Sequence, residues 1–177
     1  MNVIAVHNFI RAEVERQGFD LDTAEGMVRV SWMGLAWDYA RMRESGGDKP
    51  SVYDILEMAY TIEPVRNARG FRQGPVIVRG QNVVDWRNVP NALHRLWKHG
   101  QHLSPIQFYT EFELIHPFND GNGRVGAILY NWLNGTLEDP EAPADMFTGT
   151  GRGERIIEEE EGCCQPWWEV CCTKDGS

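Results

Sequence analysis

The nine residues from His116 to Arg124 are His-Pro-Phe-Asn-Asp-Gly-Asn-Gly-Arg, and three of them carry groups that could act on a phosphate. His116 is the one residue among the nine that exchanges a proton near neutral pH, so it is the candidate general base. Asp120 is the candidate ligand for Mg²⁺, which binds carboxylates together with phosphate oxygens. Arg124 offers a charged fork that suits a phosphate group.

The same segment predicts a binding nest for an anion. Gly121 and Gly123 allow the backbone to curl so that its N–H groups converge, and a helix that begins there adds free N–H groups and partial positive charge. Asn122 adds side-chain donors, and Phe118 is predicted to pin the loop to the core. The set indicates phosphoryl or nucleotidyl transfer. The alternative is a polar loop with ordinary Asp-Gly and Asn-Gly turns, and nine consecutive suitable residues favour the catalytic interpretation.

Two amphipathic helices must hold this loop. Before it, Ser104 is a predicted N-cap, Pro105 a first-turn proline and Gln107 a capping-box partner. The apolar face of that helix is Ile106, Tyr109, Phe112 and Ile115. After the loop, a helix that begins around Gly123 has the apolar spacing of a buried helix, with Val125, Ile128, Leu129, Trp132 and Leu133 facing inward.

Four further helices are predicted upstream. The first covers 3–17, and the second begins at a capping box of Asp22 with Glu25 and ends at about Arg43, with Met27 facing inward. The third begins at Ser51 with Asp54 and ends at Pro64, and the fourth begins after Asn88. Between them, residues 71–80 contain Gly-Pro in the middle and β-branched residues after it, which is typical of a short hairpin. The sequence therefore predicts an all-α fold, a compact helical core with one short β-hairpin flap and an irregular acidic C-terminal tail.

Charge divides the 177 residues into two parts. Residues 136–177 contain 11 acidic and three basic residues, whereas 1–135 contain 15 acidic and 14 basic ones. We predict a helical domain over 1–135 and an acidic extension over 136–177.

A nearly neutral core lacks the broad positive field that nucleic acid needs, so a nucleic-acid partner is not expected. No run of 18 apolar residues or basic leader with an apolar block appears, so we expect no membrane span and a cytoplasmic location. Specialised delivery into another cell would leave no readable trace.

The extension also holds all four cysteines, in two adjacent pairs, Cys163-Cys164 and Cys171-Cys172. Reduced thiols are the favoured interpretation, and cross-paired disulfides or a thiolate metal site stay open. The acidic run Glu158–Glu161 is expected to be solvated. Three other metal-ligating residues, His94, His99 and His102, are spaced five and three apart and are expected at the surface.

Residues 116–124 resemble the signature loop of the Fic family, H-x-F-x-[DE]-G-N-G-R-x-x-R, and match every defined position through Arg124. Gly70-Phe71-Arg72 followed by Val76-Ile77-Val78 resembles the family's flap hairpin, and 90–97 resembles the helix after it. The resemblance covers roughly residues 50–135. It implies an all-α core, Mg²⁺, and ATP or a related nucleotide as donor, with transfer of AMP to a Ser, Thr or Tyr hydroxyl of a target protein.

The resemblance also implies a role for each matching residue. His116 would deprotonate the target hydroxyl, Asp120 would bind the metal, and Arg124 would hold the distal phosphate. The backbone of Gly121 and Gly123, with Asn122, would form the anion hole. The flap residues Phe71, Arg72, Val76, Ile77 and Val78 would pair with the target's backbone as an added strand.

The chain departs from the family at the last position of the motif, where Ala127 replaces a second arginine. In the family that arginine orients the terminal phosphate and meets an inhibitory glutamate. The nearest match to the inhibitory motif is Thr150 to Glu154, where two glycines argue against a helix. We infer no self-inhibition by that route, which leaves inhibition to a separate protein. Ala127 favours a first alternative, phosphotransfer or a diphosphate-linked donor in the same fold. The second alternative is a non-catalytic module that binds nucleotide or protein.

Overall fold

The computed structural model describes residues 2–78 and 80–144, which form six α-helices and one small hairpin. The predicted all-α fold is confirmed. The helices are α1 (Val3–Arg16), α2 (Ala24–Ser45), α3 (Val52–Ile62), α4 (Val89–His99), α5 (Pro105–Ile115) and α6 (Asn122–Asn134). The strands are β1 (Ile77–Val78) and β2 (Gln81–Asn82), and short 3₁₀ turns occupy Trp86–Asn88 and Gly100–His102.

Helix α6 lies at the centre of the fold, because α2, α3 and α5 all pack against it. Helix α1 packs on α2, and α4 packs on α5. The core between them contains large side chains with no exposed surface, among them Trp37, Phe112, Phe118 and Ile128. The N-terminus of α6, where the predicted nest lies, is thus held from several sides.

Helix starts follow the predicted capping chemistry in two of three cases. Ser51 and Ser104 each form a full capping box with the residue three positions later. The prediction for α2 was wrong: Thr23, rather than Asp22, is the N-cap, and its hydroxyl accepts from the Gly26 N–H at 3.1 Å. The chain folds back tightly before α2, so a Cβ at Gly26 would collide with the Asp20 carbonyl.

Two residues expected to face inward are exposed instead. Met27 is 45% exposed and Ile106 is 36% exposed. Both lie in the first turn or so of their helices, where the helix extends beyond its neighbours, and the buried face of α5 begins at Phe108. Apolar spacing identifies a face but not where along the helix that face starts to be covered.

The hairpin lies further along the chain than its Gly-Pro pair indicated. Ile77 pairs with Asn82 and Val78 with Gln81, so the turn follows Val78, and Gly80 adopts the positive φ (77°) that a tight hairpin turn requires. Gly74-Pro75 lies before the strands, in a segment without regular secondary structure.

The beginning of the predicted extension packs against the helical core. Leu137 is fully buried, and its carbonyl accepts from Trp37 Nε1 at 3.1 Å. The Glu141 N–H donates to Asn131 Oδ1 at 2.8 Å. The cysteines, the acidic run 158–161 and the segment 150–154 lie outside the described residues. Within 2–78 and 80–144, no helix is both long enough and apolar enough to cross a membrane.

Helices α5 and α6 approach closely at Gly126, which gives a stability test. A Cβ there would lie 2.5 Å from Glu113 Oε1 and 2.9 Å from a Tyr109 ring carbon. We expect Gly126→Ala to destabilise the fold by about 1–3 kcal/mol in urea unfolding, because overpacking outweighs the gain in helix propensity. Gly34→Ala in α2 is the matched control, since a Cβ there meets nothing within 4 Å. It should stabilise by about 0.5–1 kcal/mol. Equal effects of the two substitutions would contradict this packing.

Candidate active site

His116 stands at the end of α5 in a left-handed backbone conformation, with φ 50°. Residues other than glycine adopt this region infrequently, and His, Asn and Asp do so more readily than most. The reversal at His116 ends α5 and directs the chain into the loop that leads to α6. The residue expected to act as base is therefore also the residue that shapes the loop.

Arg72 fixes the backbone around His116. Its Nε donates to the His116 carbonyl at 2.7 Å and its Nη2 donates to the Ile115 carbonyl at 3.3 Å. Its own N–H donates to the Pro117 carbonyl at 2.9 Å. The same guanidinium also donates to the carbonyls of Gly74 and Val84. Arg72 is buried, so its side chain acts as a cap for the end of α5, and the structure does not present it to a target as the sequence led us to expect.

The His116 imidazole is neutral at physiological pH. Burial lowers its pKa to about 4, and the charge of Arg72 acts in the same direction, against weaker effects of the Glu113 carbonyl and the Asp120 carboxylate. The Nδ1 atom is buried without a hydrogen bond of good geometry, and the nearest Glu113 carboxylate oxygen is 3.9 Å away. A neutral imidazole has a lone pair with which it can accept a proton.

Asn122 holds the loop together. Its Oδ1 accepts from the Phe118 N–H and its Nδ2 donates to the Phe118 carbonyl, both at 2.9 Å. Phe118 is fully buried against Phe71, with ring centroids 5.8 Å apart, so it pins the loop as predicted. The side-chain donors of Asn122, expected to serve an anion, are instead used within the loop.

The backbone nest lies where Gly121 turns into α6. Gly121 has φ 78°, and a Cβ on it would approach Ile62 Cγ2 to 2.9 Å, so a side chain is excluded twice over. Its N–H already donates to Asp120 Oδ1 at 2.6 Å. The N–H groups of Asn122, Gly123 and Arg124 open the helix, where no intrahelical acceptor exists for them. These three are the donors that the nest can offer to an anion.

Asp120 is the carboxylate beside the nest. Its Oδ2 lies 2.8 Å from Arg66 Nη1, and its Oδ1 lies 3.4 Å from Arg124 Nη2. No cluster of three or more metal-ligating side chains occurs within 2–78 and 80–144. One carboxylate with partial exposure fits Mg²⁺ that is also held by phosphate oxygens and water, and it does not fit an ion held by protein alone.

Arg124 has no exposed side-chain surface and is already engaged. Its Nη2 lies 2.6 Å from Glu63 Oε1, and its Nε donates to Gln17 Oε1 at 2.9 Å. Glu63 also pairs with Arg29. Burial lowers the pKa of Arg124 to about 10, which leaves it charged. Sequence reasoning missed Glu63, Gln17 and Arg29, because each lies on a distant element and none belongs to a local motif.

The flap residues are divided between core and surface. Phe71 and Arg72 pack inward, whereas Ile77 is 73% exposed at the hairpin. Val76 and Val78 are half-buried. Of the five flap residues, Ile77 in β1 is thus the most accessible to another chain, with the half-buried Val76 and Val78 on either side of it. The histidines His94, His99 and His102 are exposed at the ends and surface of their helices.

Two comparisons with known proteins agree with the family resemblance of the loop at 116–124. Residues 57–133 match the model of the Fic/DOC family. The Fic resemblance is confirmed. A relative from Aquifex aeolicus (strain VF5), named "probable protein adenylyltransferase", is 63% identical over 35 residues, which are 18% of this chain and 11% of that protein. Together these matches support a Fic-type transferase, and Gln17 and Arg29 lie outside the matched Fic segment.

The neutral His116 predicts a loss of stability in acid. The unfolded chain, with an ordinary histidine pKa of about 6.5, takes up a proton below that pH, but the folded chain does so only near pH 4. We expect this residue to cost the fold about 3 kcal/mol as the pH falls from 6.5 to 4, and to contribute no pH dependence above 7. His116→Asn keeps a residue that tolerates the left-handed backbone. Urea midpoints between pH 4 and 7 should therefore fall less steeply in this variant, and parallel curves would contradict the assignment.

Replacing Arg72 by lysine should destabilise the fold even though the positive charge is kept. Lysine keeps the charge but cannot reach several carbonyls at once. We expect Arg72→Lys to lower the free energy of unfolding by about 2–4 kcal/mol because buried carbonyls lose their donors. Arg69→Lys, at an exposed position nearby, should stay within about 0.5 kcal/mol of wild type. A small effect at Arg72 would mean that the α5 carbonyls do not depend on it.

Proposed function

We propose that this chain transfers a nucleoside monophosphate, first of all AMP from ATP, to a Ser, Thr or Tyr hydroxyl of a target protein. The observation that carries the proposal is the juxtaposition of a neutral, half-enclosed imidazole with the open N–H groups of α6 on one short, fixed loop. A base beside an anion nest suits the attack of a hydroxyl on phosphorus.

His116 would accept the proton of the target hydroxyl as its oxygen attacks the α-phosphorus. A new P–O bond forms to the target, the bond to the leaving pyrophosphate breaks, and the proton stays on the imidazole. Because Nδ1 is buried, Nε2 is the nitrogen that would receive it. A pKa near 4 makes a weak base, but anionic phosphates bound beside the ring would raise that pKa toward the working range.

The start of α6 would hold the transferring phosphate. The N–H groups of Asn122, Gly123 and Arg124 are donors whose orientation is fixed before the substrate binds, so little reorganisation is required during the reaction. Arg124 has one donor atom, Nη1, that is buried and has no partner in the part of the chain that the structure describes. It can therefore contact a phosphate oxygen while its ion pair with Glu63 stays in place.

Asp120 would hold Mg²⁺ once phosphate oxygens complete the ligand set. When bound, the ion would neutralise charge on the phosphates. Asp120 would have to exchange its contact with Arg66, which lies largely in solvent, so the rearrangement costs little. The released Arg66 guanidinium would remain beside the phosphates.

The hairpin would bind the target. Among the described residues β1 pairs only with β2, and its exposed Ile77 marks an edge to which an extended segment could add as a further strand. Backbone hydrogen bonds at this edge would align a target hydroxyl without demanding a particular sequence. A separate inhibitor protein could compete for the same region.

Ala127 supports a second candidate within the same fold. The residue is fully buried in the apolar core, and its methyl group has no donor to offer to the phosphates. Without the family's second arginine, phosphotransfer or a diphosphate-linked donor would also be accommodated. The group that is transferred distinguishes these reactions.

The test is intact-mass analysis of the purified protein and of a lysate after incubation with Mg²⁺ and each common nucleotide. Wild type is compared with His116→Asn, which keeps the left-handed backbone but cannot accept the proton. We expect a mass gain of one nucleoside monophosphate with wild type and at least about a hundredfold slower gain with the variant. Nucleotide affinity should be nearly equal in the two proteins.

Other results have distinct meanings. A gain of phosphate, or of phosphate with another group, would favour the second candidate. Equal rates for wild type and His116→Asn would remove His116 as the base. Nucleotide binding by both proteins, with no modified product from either in lysate, would favour a binding module.

A further inference from the structure

Gln17, at the end of α1, lies against the start of α6. A Cβ built on Gly123 would be 3.2 Å from Gln17 Nε2 and 3.8 Å from its Cδ. The side chain therefore forms part of the wall around the nest, although it lies 40 positions upstream of the matched Fic segment that begins at residue 57.

The orientation of the Gln17 amide is fixed by Arg124. Arg124 Nε is a donor only, so the amide oxygen must face it, as the 2.9 Å hydrogen bond shows. The amide nitrogen must then point away from Arg124. Nε2 is buried and has no hydrogen-bond partner among the described residues. Leaving a buried N–H₂ group without an acceptor is unfavourable, so an acceptor that the protein itself does not supply is expected beside it.

Two neighbouring arginines have the same deficit. Within 2–78 and 80–144, Arg124 Nη1 and Arg29 Nε are buried and have no hydrogen-bond partner, and both side chains are more than nine-tenths buried. Arg124 contacts Gln17 directly, and Glu63 joins Arg124 to Arg29. Phe19 lies beneath both guanidinium groups, 4.0 and 5.4 Å from its ring centroid. One linked cluster thus contains three unpaired donors. The oxygen atoms of an anion are suitable acceptors for such donors.

Gln17 also lies against the helix that carries Ala127. Gly123 and Ala127 are four residues apart in α6 and so lie on the same face of the helix, one turn from each other. Gln17 packs on that face at Gly123. A donor from α1 therefore reaches the start of the face from which the motif's second arginine would project.

We propose that Gln17 is a phosphate-binding residue, whose Nε2 donates to an oxygen of the distal phosphates of the donor nucleotide, next to Arg124 Nη1. The inference rests on the proposed function, since it names a contact of the same donor. A neutral amide would replace the charge of an arginine with a single directional hydrogen bond. The site would then favour donors with more than one phosphate while holding the terminal group less tightly than an arginine would.

The test is Gln17→Met, which keeps the length and shape of the side chain and removes its polar atoms. Calorimetric binding is measured with Mg²⁺ and three probes, ATP, AMP and inorganic tripolyphosphate. We expect about a tenfold loss of affinity for ATP and tripolyphosphate, the usual effect of losing one hydrogen bond to a charged group, and less than a twofold change for AMP. Gln101→Met is the matched control, because Gln101 is exposed in the 3₁₀ turn before α5, and it should leave all three affinities unchanged.

Equal ATP and tripolyphosphate affinities in wild type and Gln17→Met would overturn the inference, and the transfer assay with His116→Asn would still judge the proposed function separately. A uniform loss for ATP and AMP would also overturn it, because it would show that Gln17 only supports the fold. Failure of wild type to bind tripolyphosphate would overturn the inference alone, and failure to bind ATP would overturn both the inference and the proposed transfer of AMP from ATP.

A second measurement does not depend on the variant's folding. In wild type the side-chain amide resonance of Gln17 should shift in NMR spectra as tripolyphosphate is added, whereas that of Gln101 should not move. No shift of the Gln17 resonance at saturating tripolyphosphate would overturn the proposal.

Discussion

The buried guanidinium of Arg72 is the interaction on which the geometry of the loop depends. Helix α5 ends abruptly at a left-handed residue, and such an end leaves carbonyl groups without partners inside the protein. Arg72 supplies donors to the carbonyl groups of Ile115 and His116. It stabilises the backbone reversal, and its charge adds to burial, the larger cause, in lowering the pKa of the His116 imidazole. One side chain thereby sets the position of the candidate base and contributes to its neutral state.

The opposite side of the loop is organised by Glu63. Its buried carboxylate receives Arg29 and Arg124 together, so two positive charges are held close to the start of α6 without repelling each other into solvent. Desolvating such a group is expensive and gives little net stability. Its value is positional, because Arg124 is held rigidly while one of its donors stays available. The guanidinium of Arg124 is therefore fixed beside the start of α6 by a buried carboxylate of opposite charge.

The sequence was most informative where function and local geometry coincide. The loop 116–124, its two flanking helices and two of the capping boxes could be predicted, because each depends on residues close together in the chain. Arg72 was assigned to target binding since its neighbours resembled a flap, and only the folded structure shows that it is buried beneath the loop. Gln17, Arg29 and Glu63 gave no signal, because their importance arises from contacts across 34 to 107 positions of sequence. Apolar spacing likewise predicted the buried faces of the helices. It did not predict that Met27 and Ile106, near the starts of their helices, are exposed to solvent.

The pairing of Arg29 with Glu63 means that the segment recognisable by its motif is not a self-sufficient unit. Cutting the chain at residue 57 would remove α1 and α2, and Glu63 and Arg124 would then lose Arg29 and Gln17 and become open to water. Such a fragment would keep residues 116–124 but would lose the ion pair and the hydrogen bond that Arg29 and Gln17 provide beside them. Residues 1–56, which precede the match to the family model, thus supply part of the polar environment of the motif arginine.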